Sequence, residues 1–148
     1  MLEGDFLPLQ STLVARLQEC LAAQVPAVHV LTSPDLDGVM EEQQLTPAVH
    51  LIYQGYQVLE QRPNGVLLEQ TWLAVVACRN VRHLASGQAA RQQAGRLAFA
   101  ALKALLGYKP PECSAPLRLA NAPPAGYSGG HQYLPLAFTA ELIFNPHA

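Results

Sequence analysis

Five histidines, three cysteines and a scatter of acids are the groups of this 148-residue chain that could do chemistry. His29 and His50 fall in strand-like stretches, and His83, His131 and His147 complete the set. None stands beside a Ser, Cys or carboxylate in a hydrolytic arrangement, so His29 and His50 read as half-buried strand residues rather than catalytic bases. A nucleophile elbow would show GxSxG, and the chain has none. The most motif-like string is YSGGHQY, 127–133. Paired glycines can turn backbone N–H groups toward an anion, but the GxxxxGK[ST] of a phosphate loop is missing. The string is expected to be a mobile loop leading into the last strand.

Metal ligation has no better footing. There is no HExxH, and no carboxylate pair at helical spacing with a His beside it. Asp35, Asp37, Glu41 and Glu42 cluster loosely, and DLDG is similar to the opening of a calcium loop. The closing Glu of such a loop belongs at position 12, where this chain has Thr46. Cys20, Cys78 and Cys113 are odd in number and lack CxxC spacing, which speaks against a disulfide framework and a structural zinc. Cys20 and Cys78 occupy apolar positions and are expected in the core. Cys113 lies in a Pro-rich loop, where it could be exposed. The expectation is a protein with no catalytic residue, cofactor or metal.

The basic residues are few. Net charge is −2 with no run of like charge, whereas binding phosphate backbones needs concentrated Lys and Arg; nucleic acid is not expected as a main partner. Arg79 and Arg82 flank the end of an aliphatic strand, and Arg91, Arg96 and Lys103 dot a predicted helix. Arg96 and Lys103 share a helix face with Gln92. Phe99 falls between them, with Leu106 beside it, opposite an Ala-rich stripe. An aromatic ring on the outer face of a helix is a candidate contact for another chain. Phe99, Leu106, Arg96 and Lys103 are therefore the candidate subunit interface.

The elements that must carry these residues follow from periodicity. Leu13, Leu17, Cys20 and Leu21 form one helical stripe; Pro8 suits its first turn, Asp5 or Ser11 its cap, and Pro26 its end. AVHVL (27–31) is a short strand, and 33–47 a connection with a helical turn near Leu36 to Glu41. Residues 47–60 and 66–79 are strands joined by RPNG, a hairpin signal in which Asn and Gly tolerate positive φ; Gly55 marks a bulge. Residues 86–108 form the second long helix, with Ser86 as cap and Gly107 as stop. Its stripe is Ala90, Ala94, Leu97, Ala98, Ala101 and Leu105. Residues 109–130 are loop-dominated, with PLRLA (116–120) a short strand.

The last strand, 131–144, alternates cleanly. Leu134, Leu136, Phe138, Ala140, Leu142 and Phe144 share one face, and His131, Tyr133, Thr139 and Glu141 the other. Pro135 lacks an N–H, so the strand is expected to be an edge or locally irregular there. The predicted architecture is α+β in a single domain, 1–148: a mostly antiparallel sheet with both long helices on one face.

From Leu73 to Ala77 every side chain is apolar, so both faces of that strand should leave water. Two helices on one face leave the reverse face to be finished by neighbouring copies of the same molecule; the alternative is that the chain's own loops fold over it.

With half its residues hydrophobic and 14% charged, the chain can bury a sizeable core. No apolar run approaches the roughly 18 residues of a membrane span. Acids stand where a secretory leader carries Lys or Arg, which predicts a cytoplasm-like compartment unless the protein joins an assembly that leaves the cell.

Several strings carry a resemblance that spans roughly residues 8–145. These are the AVHV strand, WLAVVACRNVR at the end of the hairpin, the helix exit ALLGYKP, then PLRLANA and YLPLAFTAEL. In this order they resemble the small tail terminator-like proteins of contractile-tailed, Mu-like phages and prophages. The resemblance implies an α+β fold related to tail-tube proteins and assembly, commonly as a hexameric ring, on the end of the tail. It further implies that the ring stops tube polymerisation and presents a docking surface to the head completion proteins, with no cofactor and no enzymatic activity. Loops 33–47 and 109–130 would supply that surface and order on contact. Two alternatives stand beside it: another head–tail connector or tube-related component, and a small enzyme or ligand-binding module with a site near His131 or His50.

Overall fold

The computed structural model describes residues 1–32, 43–79 and 88–147. The helical turn expected near Leu36 to Glu41, the acids Asp35, Asp37 and Glu42, the residues Asn80, Arg82 and His83, and the cap Ser86 lie outside them. Within them run helix α1 (Leu9–Cys20), strand β1 (His29–Thr32), strands β2 (Ala48–Arg62) and β3 (Gly65–Arg79), and helix α2 (Gln88–Leu105). Strands β4 (Arg118–Ala120), β5 (Gly126–Ser128) and β6 (His131–Phe144) follow. The fold is α+β, with a six-stranded sheet in the order β1-β2-β3-β6-β4 and β5 pairing a different stretch of β6. Only β1 and β2 pair in parallel.

Both helices pack on one face of this sheet. Leu9, Leu13 and Leu17 of α1 repeat every four residues, which puts them on one helix face, and all three are buried. Ala94, Leu97, Ala98, Ala101, Ala104 and Leu105 of α2 join them in one core with Leu68, Trp72, Ala74, Val76 and Cys78 of β3 and Phe138, Ala140 and Leu142 of β6. The alanines keep α2 close to the sheet, as the stripe predicts. Trp72 is the largest fully buried side chain; its loss to alanine would cost about 3–5 kcal/mol.

Several local expectations change. Cys20 is exposed, because it lies three residues past Leu17 and off the four-residue ladder; Leu9 is the stripe member that periodicity missed. Cys113 is buried, because the 109–130 segment is stitched to β6 rather than loose. Ser114 N–H donates to the Glu141 carbonyl at 2.9 Å. No side chain caps α1: Pro8 occupies the cap position, and Asp5 accepts the Leu7 N–H outside the helix.

The β2–β3 hairpin forms as predicted, with Arg62 opposite Gly65. Its turn is not the left-handed one expected, since no described non-glycine residue has positive φ. Proline at the first central position suits a type I turn instead. YSGGHQY is not a mobile loop but a tight hairpin: Ser128 pairs with His131, and Gly129 and Gly130 both take positive φ, 58° and 83°. That pair of left-handed residues makes a type I′ turn, which matches strand twist.

Pro135 is tolerated for a different reason than an edge strand. β6 is paired to β3 along its whole length, but its outer partners stop on either side of Pro135: β5 ends at Tyr133 and β4 begins at Ala137. The missing N–H sits beside that gap.

Most of the reverse face of β3 is covered within the chain: Leu73 is 8% exposed and Ala77 0%, with Val75 half-buried between them. Ala48, Ala77 and Ala137 project only methyl groups on this face, set among the larger Ile52, Tyr133 and Pro135. The Tyr133 hydroxyl donates to Gln44 at 3.4 Å, so the segment before β2 reaches over the same face. Double-sided apolarity at Leu73–Ala77 therefore does not require a second copy to cover it.

Candidate functional site

Two exposed apolar surfaces stand out, at separate places on the molecule. The first is the outer face of α2. Burial of the alanine stripe fixes the helix rotation and turns Arg91, Gly95, Arg96, Phe99 and Lys103 to solvent. Phe99 is 69% exposed and Leu106, just past the helix end, 48%. The helix contains three basic residues and no acid. Arg96, Phe99 and Lys103 thus share one open face, with Leu106 one turn beyond. Gly95 lies one turn before Phe99, and a Cβ added there would meet nothing within 4 Å.

The second surface is at the far end of the long hairpin, and sequence reasoning missed it. Beyond Leu51, β2 has no outer partner strand among the described residues. A bulge between Tyr53 and Gly55 interrupts the alternation. Gly55 adopts φ +128° there, a conformation that side-chain-bearing residues rarely take. Before the bulge, Val49, Leu51 and Tyr53 face the helices; after it, Tyr56 and Val58 take over that face, opposite Gln70 and Leu68. The helices do not extend this far. Tyr56, Val58, Phe6 and Phe144 are left between 43% and 55% exposed around a groove of about 300 Å³ whose floor is Leu68 and Val66. Phe144 is on the predicted face of β6, but past the cover of the core.

A buried polar relay positions Phe6 at this groove. Trp72 Nε1–H donates to Gln70 Oε1 at 3.1 Å, and Gln70 Nε2–H donates to the Phe6 carbonyl at 2.8 Å. Phe6 then meets Tyr56 edge-on, with ring centroids 5.5 Å apart. Glu3 and Asp5 lead into Phe6, and no Lys or Arg precedes Arg16. Arg62, nearby on β2, is ion-paired to Glu60.

The titratable groups are placed for burial. His50 is buried on the reverse face with neither ring nitrogen hydrogen-bonded, and burial, then the charge of His131, hold its pKa below the ordinary value. His131 stacks on Tyr133 at 5.8 Å. Burial pushes the Cys78 and Cys113 thiols up to about 11. Among the described residues no three His, Cys, Asp or Glu side chains gather as metal ligands.

The model of the phage tail terminator protein family matches residues 6–146. This chain belongs to that family. No curated protein matches it. Membership gives the tail terminator a structural role in the phage tail and partners within the tail. The match takes in both surfaces, from Phe6 through α2 to Phe144. Among the described residues of this terminator no helix is long and apolar enough to cross a membrane.

Proposed function

We propose that this protein caps the tail tube of a contractile-tailed, Mu-like phage or prophage, stops its polymerisation and offers the head completion protein a surface to dock on. It acts as a single domain, assembled in the host cytoplasm, and closes into a ring, a hexamer, on the tube end. It is not an enzyme. The observation that carries this reading is the family match over residues 6–146. Phe99 and Leu106 support the ring: two exposed apolar side chains on a basic helix face are what a subunit contact leaves bare in the free protein. Arg96 and Lys103 flank them and would set the orientation of that contact. A ring needs a heterologous interface, in which one patch meets a different patch on the next copy.

Purified protein mixed with tail tubes, followed by negative-stain imaging and light scattering, tests the proposal. Rings at tube ends and tubes of arrested length are expected. A protein that stays monomeric with tubes present, and leaves tube growth unchanged, would overturn it.

A further inference from the structure

Phe99 stands out from a basic helix face, and the groove at the hairpin end is an apolar recess beside acids. We propose that these are the two halves of one contact, in which Phe99 of one copy seats in the Phe6–Tyr56–Val58–Phe144 groove of the next. The inference rests on the ring reading and names the partner surface that this reading leaves open.

Shape is the first argument. The groove is about 300 Å³ and lined by two aromatic rings, Tyr56 and Phe6, already set edge to face, plus Phe144. It has room for an aromatic side chain, and rings favour tilted contacts with such neighbours. Phe99 is the most exposed aromatic residue on the described surface.

Charge is the second. α2 presents Arg91, Arg96 and Lys103 with no acid among them, while the chain entering the groove presents Glu3 and Asp5 with no Lys or Arg nearby in sequence. Arg62, the base closest along β2, is held by Glu60. Opposite potentials around two apolar centres steer one docking orientation and penalise like-to-like pairing of either patch.

Gly95 is the third. A glycine inside a helix costs about 0.5–1 kcal/mol relative to alanine, and among the described residues nothing lies within 4 Å of where its Cβ would stand. Folding does not call for glycine at this position, whereas a neighbour from another copy seated beside Phe99 would use that space.

Because the two patches differ and lie apart, the contact is heterologous and propagates head to tail until the ring closes. Cross-linking tests it. In a Cys20→Ser background, where Cys78 and Cys113 are buried, Gln92→Cys on α2 and Gln61→Cys at the groove rim are made separately and together. Both positions are exposed, and the substitutions leave Phe99 and the apolar groove lining in place. A short bis-maleimide should give a dimer only when the two single variants are mixed on tubes, and a ladder ending at the ring number with the double variant. Asp5→Arg and Arg96→Glu should each lower the cross-linking yield of that pair several-fold, and the two together should restore it. If imaging shows rings while the mixed pair gives no cross-link, the contact is wrong and the ring reading survives. If neither rings nor tube-end caps form, both fail.

Discussion

The three thiols of this tail terminator occupy two environments, and their chemistry should divide accordingly. Cys20 is exposed on α1, while burial pushes Cys78 and Cys113 up to about 11. At pH 8 the buried pair stays protonated and out of reach, and only thiolates react appreciably. One thiol per chain should react promptly with a disulfide reagent in the native state, and three after denaturation. Two or more fast thiols in native protein would contradict the burial of Cys78 or Cys113. His50 gives a second test at this scale. Its folded pKa lies below the 6.5 of a free imidazole, so between those values the unfolded chain binds a proton that the folded chain refuses. Stability then rises with pH across that window, is fully present above 6.5 and is lost as pH falls toward the folded value. Urea midpoints should drop between pH 7 and pH 5 by more in the parent than in His50→Asn. An equal drop in both would remove His50 from the account.

Single elements carry their own conflicts between folding and contact. α2 packs by its alanine stripe from end to end, while on its outer side Gly95 interrupts good helix formers. Gly95→Ala should stabilise the isolated chain by about 0.5–1 kcal/mol, raising its melting temperature, and should weaken self-association if a neighbour lies close there. A variant that is more stable and associates unchanged would show that Gly95 leaves space for nothing. β2 is divided in a similar way. Its first four residues are covered by β1, and the remainder has no outer partner strand among the described residues. Long open edges invite pairing with other chains. Two register shifts, at Tyr53/Gly55 and Val58/Glu60, and the Glu60–Arg62 pair bend and charge this one.

For the whole molecule, one substitution separates folding from assembly. Phe99→Asp sits at a 69% exposed position outside the core, so its effect on stability should stay within about 0.5 kcal/mol. At a subunit contact, losing an aromatic anchor costs roughly 2 kcal/mol or more, and a buried unpaired charge adds to this. The variant should melt like the parent yet fail to form rings or cap tubes at concentrations where the parent does. Parent-like rings would mark Phe99 as merely exposed. The reverse face of the sheet shifts the balance of this argument. Leu73 and Ala77 are covered by their own chain, so the case for assembly rests on the exposed surfaces of α2 and of the hairpin end, not on an unfinished core.

How much of this was legible follows from how far each signal reaches along the chain. The alanine stripe of α2, the alternation of β6 and the Pro-Asn-Gly turn are patterns within a few residues, and they gave both helices, the hairpin and the outward direction of Phe99. The burial of Cys113, the outer gap that admits Pro135 and the closing of the reverse face by Tyr133 and Gln44 each depend on segments far apart in sequence. So does the groove. Phe6, Tyr56 and Phe144 meet only because a bulge at Gly55 moves the apolar face from odd to even positions and a buried glutamine ties the N-terminal segment to the sheet. Local periodicity fixes which side of an element seeks cover. Which sides find it is decided by the long-range packing that brings distant segments together and stops short of these two surfaces.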